Sequence, residues 1–161
     1  MLSSLQSYID TPIGAILIAG DENAIVEIHF AGAEPQPDWT RHPAALREAA
    51  SQLRAYFAGE RQTFDLPLAP RGTEFQQSVW SALQKIPYGE TTTYSTIAER
   101  IGRPAAVRAV GAANGANPIP IVIPCHRVIG ASGGLTGFGG GLPVKRWLLD
   151  HEARLAGKRL F

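Results

Sequence analysis

Apolar and polar positions along this chain follow two periods. From Ser7 to Phe30 they come in short runs, Ser7 to Ile9, Ala15 to Ala19 and Ala24 to Phe30, divided by Thr11-Pro12-Ile13-Gly14 and Gly20-Asp21-Glu22-Asn23. Such runs between Pro- and Gly-bearing turns predict a three-stranded β-meander. His29 falls in the third run, where the plain role of a partly buried strand residue is expected. Residues 31–42 read as a loop, with Trp39 as a packing residue. From Pro43 to Ala58 the period becomes helical: Leu46, Ala49, Ala50, Leu53 and Phe57 share one face. Pro43 suits the first turn of that helix and Gly59 the position just past its end. Thr63 to Leu68 alternates again, which predicts a short strand or an extended connection.

Pro70-Arg71-Gly72 is the best boundary, giving domains over 1–70 and 71–161. Beyond it the helical period dominates. Thr73-Glu74-Phe75-Gln76 has the form of a capping box, and Phe75, Val79, Leu83 and Ile86 mark the buried face of a helix ending near Lys85. Thr93 is placed to cap a second helix, Tyr94 to Ile101, stopped by Gly102. Arg103-Pro104 opens a third, from Pro104 to about Asn114. Two short helices joined by Gly-Arg-Pro predict a helix-turn-helix. The third helix carries Ala105, Ala106, Ala109, Gly111, Ala112 and Ala113. So thin a face suits tight helix packing and close approach to a nucleic-acid groove equally well. Residues 130–141 hold seven of the seventeen glycines, too many for a regular element, and predict a loop or wing. Pro143 opens a last helix with Val144, Trp147, Leu148 and Leu155 inward, and 157–161 read as a tail.

Composition narrows the class. A chain of 161 residues with 45% hydrophobic and 18% charged residues is globular, not disordered. It has no apolar run of membrane-spanning length and no signal-peptide pattern at its start, so a cytoplasmic protein is expected. A single cysteine rules out an internal disulfide and a cysteine-based zinc cluster. The net charge of +1 hides an asymmetry: residues 1–70 carry four Lys/Arg against nine acids, residues 71–161 eleven against five. The second half has the sign expected of a partner to a polyanion, although scattered surface charge gives the same count.

The single cysteine lies in Ile121-Val122-Ile123-Pro124-Cys125-His126-Arg127-Val128. The β-branched run predicts a buried strand that Pro124 ends, leaving Cys125 at a strand end where a side chain can face a pocket. A thiolate is the reactive form, and at an ordinary pKa near 8.5 only about 3% of a thiol is ionised at neutral pH. A neighbouring His or Arg lowers that pKa, and a His held by a carboxylate acts as a base. The plain alternative is a buried, inert cysteine.

Pro124-Cys125-His126-Arg127-Val128 resembles the active-site motif of the O6-alkylguanine-DNA alkyltransferases, or methylated-DNA–protein-cysteine methyltransferases. The flanks carry the resemblance further: Arg108-Ala109-Val110-Gly111, Asn117-Pro118, the glycine-rich stretch, Trp147-Leu148-Leu149 and Glu152. It covers residues 71 to 156 closely and the first 70 in general character. It implies an α/β protein: a small N-terminal α/β domain with a ribonuclease H-like sheet plus helix, then a mainly helical winged helix-turn-helix domain. The implied function is direct-reversal DNA repair by irreversible, one-shot transfer of a methyl or alkyl group from O6 of guanine in flipped-out DNA to Cys125. O4 of thymine is left open as a second substrate.

The resemblance also assigns roles. Helix 104–114 enters the minor groove, with Arg108 replacing the extruded nucleotide and Thr93, Ala106, Ala109 and Gly111 at the DNA. Tyr94 helps rotate the target and donates a hydrogen bond to its base. His126 is the base for Cys125 through a water, Glu152 orients His126, and Asn117 is the hinge of the active-site turn. Pro120, Val128, Phe138, Gly139 and Gly140 line the base pocket. Arg127 holds the turn or bridges the domains. From the residues alone, Arg108 reads as a phosphate contact or a surface charge, Tyr94 as a core aromatic and Glu152 as a solvated helix residue. No cofactor and no metal is implied, because guanine itself is the leaving group. Double-stranded DNA is the implied partner of a monomer, with cooperative assembly on DNA left open. Two rivals stand beside this reading: an alkyl-damage-binding protein that senses lesions without transfer, and a Cys–His hydrolase. Glycine at 139, where some relatives carry a larger residue, leaves the tolerated alkyl size undecided.

Overall fold

The structure, a computed structural model, describes residues 4–21, 23–30, 39–41, 46–134, 138 and 140–157, and at 4 and 39–41 the backbone only. The chain divides into two compact units, Met1–Arg71 and Gly72–Phe161. No helix among the described residues is long and apolar enough to cross a membrane.

Among its described residues the first unit is a four-stranded sheet with one helix. β1 (Ser4–Thr11), β2 (Gly14–Gly20) and β3 (Ile25–His29) form the expected meander, and β4 (Trp39–Arg41) joins β1 in parallel to give the order β3-β2-β1-β4. β4 falls where a loop was expected; three residues are too short for alternation to reveal. The packing expected of Trp39 lies outside what is described. The helix expected from Pro43 begins only at Arg47, because Leu46 before it takes the left-handed φ +56°, which no helix can run through. Helix α1 (Arg47–Phe57) buries Ala49, Ala50, Leu53 and Phe57 as the period predicts, and also Gln52 and Tyr56. Gln52 is buried without penalty because its amide is used on both sides, accepting from Asp65 N at 2.9 Å and donating to Asp65 O at 3.1 Å. That clamp holds the extended 63–68 segment, which meets the sheet at a single bridge, Ile25 to Leu68.

The second unit is mainly helical. Helix α2 (Glu74–Leu83) starts with the capping box read from sequence: Thr73 accepts from Gln76 N, and the Gln76 side chain accepts from Thr73 N. Strand β5 (Thr92–Thr93) leads into helix α3 (Tyr94–Arg100), capped by Thr93 accepting from Thr96 N at 3.2 Å. Gly102 sits at φ +76°, a left-handed turn that glycine makes without strain. Helix α4 (Val107–Gly115) begins three residues later than its sequence suggests. Pro104 instead closes a turn in which Ala106 N reaches Arg103 O at 2.9 Å, so the helix can open only after it. Helices α2, α3 and α4 pack together, and Trp80 Nε1 donates to Ala113 O at 2.8 Å in their midst.

The largest departure lies at the centre. Residues 121–123 do not form a strand: Ile121 and Val122 are in a turn, Ile123 makes only one bridge to Pro120, and Cys125–Arg127 is a 3₁₀ turn. The prolines at 118, 120 and 124 remove three backbone donors, so no ladder can run through them. The chain bonds to itself instead, Ile123 N to Ile119 O at 2.9 Å and Cys125 N to Ile123 O at 2.8 Å. Ile121 takes φ +75°, a strained value for a β-branched residue. The expected burial does hold: Ile119 through Ile129 is buried throughout. Strand β6 (Val128–Ile129) then pairs in parallel with β5, and helix α5 (Leu142–Leu155) closes the unit. On α5 the inner residues are Lys145, Leu148, Leu149, Glu152 and Ala153, whereas Leu155, expected inward, is exposed.

Candidate active site

Cys125 is the first residue of the 3₁₀ turn and is 5% exposed. The backbone around it is held by amide side chains. Asn117 donates from Nδ2 to Ile123 O at 2.8 Å and accepts at Oδ1 from Ile119 N at 2.9 Å, which bridges both arms of the 118–124 turn. Asn114, on the last turn of α4, donates from Nδ2 to the Cys125 carbonyl at 3.4 Å. The backbone position of Cys125 is therefore set from α4 and from the hinge together.

The next two side chains converge on one carboxylate. His126 Nε2 lies 2.7 Å from Glu152 Oε2, both residues being at most 1% exposed. An ionised carboxylate only accepts, so Nε2 carries a hydrogen; when the ring is neutral, Nδ1 is then the nitrogen with the lone pair. Arg127 takes the rest of Glu152: Nε to Oε1 at 2.8 Å and Nη2 to Oε2 at 3.1 Å. Arg127 Nη1 donates to Ile86 O at 2.7 Å, and its guanidinium lies 5.6 Å from the Tyr88 ring centroid. Gly89 N adds a long bond to Glu152 Oε1 at 3.4 Å. Burial alone would raise the Glu152 pKa, but the charge and hydrogen bonds of His126 and Arg127 outweigh it and hold the carboxyl well below its usual range. For Tyr88 burial and then Glu152 push the phenol up, with Arg127 opposing.

The thiol differs from the expectation that its basic neighbours would lower its pKa. Burial dominates and pushes Cys125 up to about 11, against opposing help from the Asn117 side chain and from the charge of Lys145. Arg127 is spent on Glu152 rather than on sulfur. At pH 7 a thiol with that pKa is ionised in only ~1 molecule in 10⁴, which sets a cost of about 5 kcal/mol on a free thiolate.

Lys145 escaped the sequence reading. It is fully buried on α5, donates to Val128 O at 2.7 Å, and burial lowers its own pKa while Cys125 raises it. Its signal was present: 145, 148, 149 and 152 share one helical face.

The other expected residues are placed as follows. Tyr94 opens α3 and is half-buried; a methyl on Gly111 would stand 3.9 Å from its Cδ1, so the ring lies over α4 at its glycine. Thr93 is spent on the α3 cap, and Ala106 precedes α4 as its cap residue. Val107, Arg108, Ala109 and Ala112 are exposed, while Val110, Ala113 and Asn114 point inward. Pro120 and Val128 are buried, Phe138 and Gly140 half-buried, and Gly139 lies outside the described residues.

Two family models match. The model described as 6-O-methylguanine DNA methyltransferase, ribonuclease-like domain, matches residues 5–70, and that described as its DNA binding domain matches residues 74–154. A methylated-DNA–protein-cysteine methyltransferase of Methanosarcina acetivorans is 55% identical over 89% of this chain and 94% of its own. One from Mycobacterium tuberculosis is 54% identical over 89% of each chain. Among solved structures, Mycobacterium tuberculosis OGT in complex with DNA superposes with a TM-score of 0.90 at 52% identity, covering 94% of both chains.

Proposed function

The chain belongs to the 6-O-methylguanine DNA methyltransferase family and carries out direct-reversal repair by alkyl transfer to cysteine; from that premise we propose how its own residues do so. The observation that carries the proposal is the buried His126–Glu152 pair beside the only cysteine. DNA is the partner. The substrate is duplex DNA with an O6-alkylguanine, met in the minor groove by the exposed, thin face of α4. A base inside the stack is out of reach, so it is flipped out at a cost of a few kcal/mol. Arg108 fills the gap, and Tyr94 donates a hydrogen bond to a ring nitrogen of the flipped base.

Cys125 Sγ then attacks the alkyl carbon in line. The S–C bond forms as the C–O6 bond breaks, guanine leaves with the bonding pair as its anion, the Tyr94 hydrogen bond stabilises that charge, and the base then takes a proton at its ring nitrogen from solvent. The thiol proton passes through a water to His126 Nδ1, and Glu152 stabilises the resulting imidazolium. The product is a stable thioether, so each molecule acts once. The free thiol this requires suits the reducing cytoplasm.

The test is mass spectrometry after mixing the protein with a duplex bearing one O6-methylguanine. The expected result is one methyl on the Cys125 peptide and restored guanine in the DNA. Binding without methyl transfer would leave a damage sensor, and a methyl on another residue would remove Cys125 from its role.

A further inference from the structure

Two buried polar atoms beside the nucleophile have no hydrogen-bond partner among the described residues: His126 Nδ1 and Asn114 Oδ1. Asn114 is 4% exposed and His126 fully buried. The orientation of the Asn114 amide follows from its partner. The Cys125 carbonyl can only accept, so Nδ2 faces it and Oδ1 points the other way. Buried acceptors left unpaired are costly, and a polar site with two of them is the usual seat of an ordered water. Asn117 also reaches the thiol and favours its ionisation, but its amide nitrogen and oxygen are already committed to Ile123 and Ile119 on the hinge, whereas Asn114 Oδ1 has no such bond.

We propose that Asn114 is a positioning residue for alkyl transfer: Nδ2 fixes the carbonyl of Cys125, and Oδ1 holds the water that carries the thiol proton to His126 Nδ1. This rests on the proton path given above. A water has two hydrogens. One goes to His126 Nδ1 as the water accepts the thiol hydrogen; the other stays on Asn114 Oδ1 before and after the transfer. The oxygen is thereby aimed at sulfur in both states. Asn114 also belongs to α4, whose opposite face presents Arg108 and Ala109. A helix seated on DNA thus carries one of the two supports of the relay.

The test uses Asn114→Leu and Asn114→Ala, which remove the amide with and without its volume. The thiol midpoint is read from thiolate absorbance near 240 nm as a difference against Cys125→Ser, without DNA. Transfer from an O6-methylguanine duplex is read as a single-turnover rate against pH, and DNA affinity is measured beside it. The ionisable groups around the thiol, His126, Arg127, Lys145, Glu152 and Tyr88, are unchanged in both variants. The thiol midpoint is expected to rise by about one unit and the rate at neutral pH to fall about tenfold, with affinity within twofold of the parent. If the leucine variant does not fold, the alanine variant decides. A folded variant with an unmoved midpoint overturns the proposal, whether its rate is unchanged or reduced, since a reduced rate alone would mean a structural role. If the parent protein transfers nothing while the midpoint still moves, the proposed function fails and the placement of Asn114 stands.

Discussion

Arg127 grips Glu152 through two parallel hydrogen bonds, Nε to Oε1 at 2.8 Å and Nη2 to Oε2 at 3.1 Å, and both side chains are buried. The fork fixes the carboxylate that in turn fixes His126, so Arg127 acts on the site through geometry rather than by touching sulfur. Arg127→Met leaves Glu152 buried with one cation fewer, which should cost about 3–5 kcal/mol of stability. Arg127→Lys keeps charge without the fork and is expected to lose less. Denaturant unfolding of the three proteins measures this; a methionine variant as stable as the parent would mean that Glu152 finds another partner.

Glu152→Gln keeps the shape of the carboxylate and removes its charge. A glutamine can still accept from His126 Nε2, but it no longer stabilises the imidazolium. The single-turnover rate of transfer is expected to fall ~10²–10⁴-fold with DNA affinity retained. A rate within threefold of the parent would take Glu152 out of the proton path.

Several features of this site could be read from local pattern, and several could not. Thr73 and Gln76 cap α2 as their spacing says, because a capping box involves only four residues. The His126–Glu152 contact joins residues 26 apart through the packing of α5 on the 3₁₀ turn, so no window of sequence contains it. Residues 121–123 were misread because β-branched composition signals burial as strongly as it signals strand. The prolines at 118, 120 and 124 decided between the two. The thiol pKa was misread for a related reason: sequence shows which charges are neighbours, but not that Arg127 is taken by Glu152 or that Cys125 is enclosed.

The depressed pKa of Glu152 gives stability a defined pH dependence. Its contribution is present above the unfolded carboxyl value of 4.5 and is lost as pH falls below it toward the folded value. The gap in unfolding free energy between the parent and Glu152→Gln should therefore be constant near neutrality and narrow steadily below about pH 4.5. Denaturant unfolding at closely spaced pH values tests this, and parallel curves for the two proteins would contradict it.

Cys125 produces the opposite dependence at high pH. A raised folded pKa stabilises below the free thiol value of 9.0, and that contribution is lost as pH rises toward about 11. The loss across this window is about 2–3 kcal/mol. The methylated protein has no such proton to lose. It is expected to start less stable at neutral pH, by about 1–3 kcal/mol, because a methyl is forced into a packed site. It should then lose less than the unmodified protein above pH 9. Melting curves of both forms from pH 7 to 10.5 decide; equal slopes would mean the thiol is not buried in solution.

The small residues of α4 admitted two readings, and exposure bears on both. Ala109 and Ala112 are exposed on the face that carries Arg108, while Val110, Ala113 and Asn114 make the packed side. Smallness at 109 is therefore not required by packing within the unit, and the proposed approach of DNA to this face would account for it. Ala109→Leu should leave stability within about 0.5 kcal/mol of the parent, as an exposed helix substitution does. It should weaken duplex binding at least tenfold, since the added side chain holds the helix backbone away from the groove. Transfer from a free O6-alkylated guanine base, which needs no groove, should be nearly unchanged. Equal loss on the free base and on the duplex would mean that the substitution disturbs Cys125 through α4, and the groove would no longer explain the alanines.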